Sequence, residues 1–169
     1  MRLPLRLAAI ADWTKGGSVA DIGTDHALLP VFLVLSGKAE KAFACDIGTG
    51  PLEAARRQIE KAGVGDRVQP VLCDGIPPCA AGCDCLVIAG MGGITMTKVF
   101  EGSDFVKDES INYVLLPAQR GFDIRKYLYE NGYDITTEKT VRENGKFYTC
   151  MLVKYTGLVK QADVFDIYI

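Results

Sequence analysis

Two carboxylates, a glycine and the only histidine of the chain fall within Asp21-Ile22-Gly23-Thr24-Asp25-His26, directly after the apolar run Ser18-Val19-Ala20. An acid and a glycine at the end of a short strand, ahead of a helical pattern, is how a Rossmann-like sheet presents a nucleotide-type cofactor. Asp25 and Ala27 stand where a glycine-rich loop would carry its second and third glycines. Without them the backbone cannot come close to two phosphates, so a pyrophosphate cradle is disfavoured and a cofactor lacking phosphates is expected. Asp21, Gly23 and Thr24 then supply backbone amides and carboxylates suited to the amino-acid part of S-adenosyl-L-methionine, whose ammonium needs acceptors.

Three further motifs sit at predicted strand ends, the place where open α/β sheets bind ligands. Asp46, 25 residues after Asp21 in Cys45-Asp46-Ile47-Gly48, has the spacing of a carboxylate that accepts both ribose hydroxyls, a pattern that NAD would also satisfy. Asp74-Gly75 could accept from an adenine amino group and leave room beside the ring, although Asp-Gly is equally an ordinary turn. In Ile88-Ala89-Gly90-Met91-Gly92-Gly93, glycines allow close approach of a flat ligand and Met91 offers a polarizable surface for a base. The expected cofactor set is Asp21, Gly23, Thr24, Asp46, Ile47, Asp74, Gly75, Ala89 and Gly90. His26 reads either as a structural hydrogen-bonding residue or as a contact with the substrate base.

These residues must be positioned by alternating strands and helices. Strand signals cover 18–22, 41–46, 68–73, 85–89 and 112–116, with helical patterns at 27–36, 51–62, 95–100 and 122–131 between them. Pro51 suits a first helical position and Gly63 a helix stop. Leu3 to Trp13 predicts an N-terminal helix covering the sheet edge. Crossovers between such strands imply a parallel sheet with helices on both faces. The rhythm then changes to two β-rich runs, 133–142 and 146–155, around Glu143-Asn144-Gly145, a strong hairpin signal. Five parallel strands closed by a hairpin is the α/β layout of the seven-stranded Rossmann-like methyltransferases, with the last strand inserted antiparallel. Residues 1–155 would form that domain and 156–169 a short tail whose apolar side chains could dock on it.

Composition bounds the rest. With 169 residues and 49% hydrophobic content, a single domain buries roughly 70% of the surface its unfolded chain exposes. A net charge of −2 gives no overall attraction to nucleic acid, so any such binding needs a local basic face. Arg2, Arg6, Arg56, Arg57, Arg120, Arg125 and Lys126 are the candidates. The stretch Leu7–Ala11 is too short for a signal-peptide core, and no run approaches the roughly 20 apolar residues of a membrane span, so a cytoplasmic protein is expected. Cys79, Cys83 and Cys85 have the look of a metal half-site, but reduced thiols packed in or beside strands are the expected state, with no metal. A monomer is favoured.

Taken together, Asp21–Pro30 (Asp-Ile-Gly-Thr-Asp-His-Ala-x-Leu-Pro), Gly50–Ala55 (Gly-Pro-Leu-x-x-Ala), Ile88–Gly93 and Gly145–Tyr148 (Gly-Lys-Phe-Tyr) resemble the bacterial TrmK family, tRNA adenine-N1 methyltransferases acting on adenosine 22. The resemblance runs from about Arg6 to Lys154 and implies S-adenosylmethionine as cofactor and tRNA as substrate. Since methylation at N1 leaves the base cationic, a carboxylate accepting from its amino group is worth more in the transition state, and Asp25 is the expected one, with His26 and Met91 helping to hold the ring. The chain departs from the family at Leu28, where tyrosine is usual, at Leu116-Pro117-Ala118, where a polar sequence is usual, and at Thr149, where an acid is common. The helical extension that members carry at the C-terminus is expected to be missing here. Other readings are a methyltransferase for another RNA position or a small molecule, a catalytically silent cofactor- or RNA-binding module and, third, an NAD-dependent oxidoreductase.

Overall fold

The computed structural model describes residues 2–163 and Ile167. Seven strands form one sheet in the order β3-β2-β1-β4-β5-β7-β6. They are β1 (Gly16–Ile22), β2 (Ala39–Asp46), β3 (Val68–Leu72), β4 (Cys85–Ala89), β5 (Asn112–Leu116), β6 (Tyr133–Glu143) and β7 (Lys146–Tyr155). The first five run parallel, and β7 enters antiparallel between β5 and β6. Asn144 and Gly145 make the hairpin turn with φ of 50° and 78°. Two successive left-handed residues are what a two-residue turn needs to match strand twist, and Asn-Gly tolerates them best.

Alternation along the strands divides the core into two layers. Val19, Ala42, Ala44, Val87, Val114 and Cys150 face one side, where they meet α1 (Leu5–Trp13), α2 (Leu28–Leu35) and α3 (Thr49–Ala62). Ala20, Ile22, Leu86, Ile88, Leu115, Met151 and Val153 face the other, against Met96 and Phe100 of α4 (Gly93–Glu101) and Ile124 and Leu128 of α5 (Gly121–Glu130). Parallel strands buried on both faces read as near-continuous apolar runs, which is the pattern of Cys85–Ala89 and Asn112–Leu116.

Three expectations are revised. Helix α3 begins at Thr49, so Pro51 occupies the third helical position, still within the turn whose N–H groups have no partner in the helix. Helix α1 packs across the face formed by β5, β7 and β6 rather than on the edge alone, because its apolar side chains meet Val114, Leu116, Cys150 and Leu152. The tail docks through backbone and polar side chains: the Thr156 and Gly157 amides donate to the Gly132 carbonyl and the Lys160 amide to that of Tyr129, Lys160 Nζ pairs with Asp134 at 2.6 Å, and Leu158 and Val159 stay exposed. Residues 164–166 and 168–169 of the expected tail lie outside the described residues.

Candidate active site

The C-terminal end of β1 is tied to that of β2, since the amides of Gly23 and Thr24 both donate to the Cys45 carbonyl at 2.8 Å. Gly23 has φ +77°, and a Cβ there would sit 2.3 Å from Cε of Met91. The left-handed φ favours glycine, and the flexible methionine of the β4–α4 loop closes directly over it. The Thr24 hydroxyl donates to the Asp21 carboxylate at 2.8 Å. His26 and Ala27 both take left-handed φ, 56° and 53°, turning the chain sharply into α2 and leaving Asp25 and His26 on the surface. Their side chains are 77% and 61% exposed, with Nε2 of His26 3.2 Å from the Asp25 carboxylate.

Two clefts meet at Gly23. The first, about 210 Å³, is lined by Asp46, Ile47, Asp74 and Gly75 from the ends of β2 and β3, with Cys45 and Cys73 in its floor and Met91, Thr95 and Val99 as its far wall. Ile47 is 68% exposed, an apolar surface presented beside a carboxylate. Asp46 accepts the Gly48 amide at 2.7 Å through one oxygen, which fixes the direction of the carboxylate. The second, about 90 Å³, is lined by Asp21, Gly23, Asp25, Ala89 and Gly90, together with Arg6, Leu7 and Leu29 from α1 and α2 and Leu116 from β5.

Electrostatics give the second cleft its character. Asp21 is nearly fully buried, and burial above all pushes its pKa up to about 6. The Thr24 hydrogen bond pulls the other way, while Asp25 and Asp46 raise it further. Arg6 is the one cation among the described residues lining either cleft. It is held by Glu143 at the end of β6, through side chain and amide, and its guanidinium carbon stands 5.9 Å from the ring centre of Tyr148.

All nine residues expected around the cofactor lie at this end of the sheet; eight line the clefts, and Thr24 donates its hydroxyl to Asp21. Of the trio expected around the acceptor, Asp25 lines the second cleft, His26 lies beside it on the surface, and Met91 lies in the first cleft, separated from the other two by Gly23. Among the expected RNA contacts, Arg125 is contradicted. Its side chain is 8% exposed and paired with Glu138 of β6, so it joins α5 to the hairpin and has no surface to offer. Arg6 is turned into the cleft, Arg120 is paired with Asp123 at 2.7 Å, and Arg2, Arg56 and Arg57 are exposed. Sequence reasoning missed Arg6 as a cleft residue and also missed Thr95 and Val99. The spacing of Thr95 and Val99 by one helical turn, just after the glycine loop, is the signal that could have found them.

The sequence profile of the methyltransferase domain family matches residues 3–151. A crystal structure of the Bacillus subtilis M1A22 tRNA methyltransferase TrmK superposes with a TM-score of 0.84, at 34% identity over 91% of this chain and 67% of that one. The chain belongs to the methyltransferase domain family, within it to the TrmK group. The curated Bacillus subtilis tRNA (adenine(22)-N(1))-methyltransferase is 34% identical over 156 residues, 91% of this chain, and the chain spans 66% of that relative's length. A Streptococcus pneumoniae structure in complex with S-adenosyl-L-methionine superposes on this methyltransferase chain with a TM-score of 0.88, at 28% identity over 98% of this chain and 78% of that one.

Proposed function

We propose that the chain transfers a methyl group from S-adenosylmethionine to N1 of an adenosine in tRNA, in the cytoplasm, at the position named for its Bacillus subtilis relative, adenosine 22. The observation that carries this reading is the pair of clefts meeting at Gly23. The first combines carboxylates with an exposed apolar side chain, as a ribose and an adenine require. The second opposes an acid and an arginine, the complement of an α-amino acid zwitterion.

The donor set therefore fits the cofactor. Asp46 would accept from the ribose hydroxyls, Asp74 from the adenine amino group, and Ile47, Met91 and Val99 would pack against the ring. Asp21 would face the ammonium and Arg6 the carboxylate, with Ala89 and Gly90 lining the path between. Bound there, S-adenosylmethionine supplies a methyl group activated as a sulfonium. Adenine N1 carries a free lone pair at neutral pH, so the protein has to align rather than deprotonate, and positioning supplies most of the rate. Asp25, exposed at the mouth of the second cleft, would accept from the exocyclic amino group of the target. As the base becomes cationic this contact strengthens, and only such strengthening lowers the barrier. His26 would steady the Asp25 carboxylate and the edge of the base.

The test is incubation with methyl-labelled S-adenosylmethionine and unmodified bacterial tRNA, followed by mapping of the product through reverse-transcription arrest. Label in tRNA with a single stop at adenosine 22 is expected. Cofactor binding without label in tRNA would turn the reading toward a small-molecule methyltransferase or a silent module. Asp25→Asn should lower kcat about a hundredfold with cofactor affinity nearly unchanged, the loss of one well-placed electrostatic contact in the transition state; unchanged turnover would remove Asp25 from the chemistry.

A further inference from the structure

We propose that the tip of the β6–β7 hairpin is a docking platform for RNA, on which an unpaired base of the substrate stacks against Phe147. The inference rests on the tRNA reading above and goes beyond it by naming the surface that grips the nucleic acid.

Sheet register places the tip at the right end of the molecule. Strand β7 pairs with β5 from Lys154 opposite Asn112 to Met151 opposite Leu115. With Cys150 level with Leu116, the last residue of β5, residues Thr149 back to Lys146 run on past it, beyond the carboxyl ends of the parallel strands where both clefts open. At about 3.4 Å per residue the overhang is roughly 15 Å. Its supporting contacts reach the site itself. Glu143, at the base of the turn, holds Arg6 in the second cleft, and Tyr148 packs on the α1 side of the hairpin.

Phe147 points to the opposite side and is 72% exposed. Its cross-strand neighbour Arg142 places its guanidinium carbon 5.7 Å from the ring centre, and Lys146 beside it is exposed. An exposed aromatic ring backed by a guanidinium is the combination that takes a nucleobase and its phosphate together, with stacking indifferent to sequence and charge directed to the backbone. Arg142 on the aromatic side and Lys146 on the other side of the strand make the tip complementary to a polyanion and poorly suited to an apolar protein surface. The reaction itself calls for such a platform. N1 lies on the Watson–Crick edge, so the target must leave its pair and its stack, and a neighbouring base is left without a partner.

The experiment compares the full chain with Phe147→Ala, Phe147→Trp and Arg142→Gln in steady-state tRNA methylation, with calorimetric titration of S-adenosylhomocysteine as a second readout. Phe147→Ala should raise KM for tRNA about tenfold, the loss of one stacked base, while cofactor affinity stays within twofold. Phe147→Trp should restore KM, and Arg142→Gln should raise it by a smaller factor. Unchanged KM in Phe147→Ala, beside a wild type that methylates tRNA, overturns the platform alone. A shift of Phe147→Ala in size-exclusion elution with KM unchanged also overturns it, assigning the tip to a protein contact. A wild type that binds cofactor and leaves tRNA unlabelled overturns the tRNA reading and the platform with it.

Discussion

Asp21 is a buried carboxylate whose protonation couples stability to cofactor binding. Its pKa, pushed up to about 6 by burial, stands above the ordinary 3.8. Between those values the folded chain holds a proton that the unfolded chain has released, so stability falls as pH rises from about 4 to about 6 and the cost is complete above that. The full cost is on the order of 3 kcal/mol. Asp21→Asn keeps an acceptor for the Thr24 hydroxyl and removes the buried charge. It should melt above wild type at pH 7.5, and the two melting curves should converge near pH 4. Cofactor affinity has the opposite slope: an ammonium favours the ionised carboxylate, so binding of S-adenosylhomocysteine by the wild type should tighten as pH rises through about 6 and then level off. Calorimetric titration from pH 5 to 8 checks this, and a flat profile would detach Asp21 from the amino-acid end. At Asp46 the informative change is to asparagine, which can still accept the Gly48 amide. Cofactor affinity should fall about tenfold, the scale of a charge-assisted hydrogen bond, with little change in melting temperature. These carboxylates were legible in the sequence because each ends a strand of recognisable pattern. Arg6 was not, since its partner Glu143 lies 137 residues away and no local periodicity encodes that pairing.

Among the elements, the β1–α2 turn is the most constrained. Gly23→Ala forces a left-handed residue at a cost of about 1–2 kcal/mol and drives the Met91 methyl out of its place over the loop. Stability measured by urea unfolding should drop by that amount, and cofactor affinity should fall because the displaced side chain enters the first cleft. Adding Met91→Ala should recover part of the affinity and none of the stability, which separates strain from steric block. Across the sheet, Arg125 ties α5 to β6 through Glu138. Glu138→Ala leaves that guanidinium buried without its partner and should cost roughly 2 kcal/mol in the same unfolding measurement, less than for a fully buried pair because Glu138 is partly solvated. The alternation of strands with helices was legible because buried parallel strands read as apolar runs and because Asn144-Gly145 announces a reversal. The face that α1 covers was not legible, since its apolar stripe states that it packs and leaves open against which strands. Arg125 misled for a similar reason: charge on a helix reads as solvated unless the opposing strand is known.

At the scale of the whole molecule, a net charge of −2 offers little long-range attraction to RNA, so binding depends on local contacts. With about four phosphates neutralised, the logarithm of affinity should fall with the logarithm of salt at a slope of roughly −3. Fluorescence anisotropy with labelled tRNA between 50 and 200 mM salt would measure it, and a much steeper slope would reveal a broader basic footprint. The clefts, by contrast, follow directly from a sheet whose parallel strands all end on one side. The insertion of β7 between β5 and β6 also dictates an order of assembly. During synthesis β6 leaves the ribosome with no neighbour to pair with, and β5 stays an open edge until the strand that follows has emerged and slid between them. Until that moment the nascent chain exposes the kind of edge on which other chains aggregate, so a stalled product ending near Glu143 should be captured by chaperones or precipitate, while one extended through Tyr155 should refold.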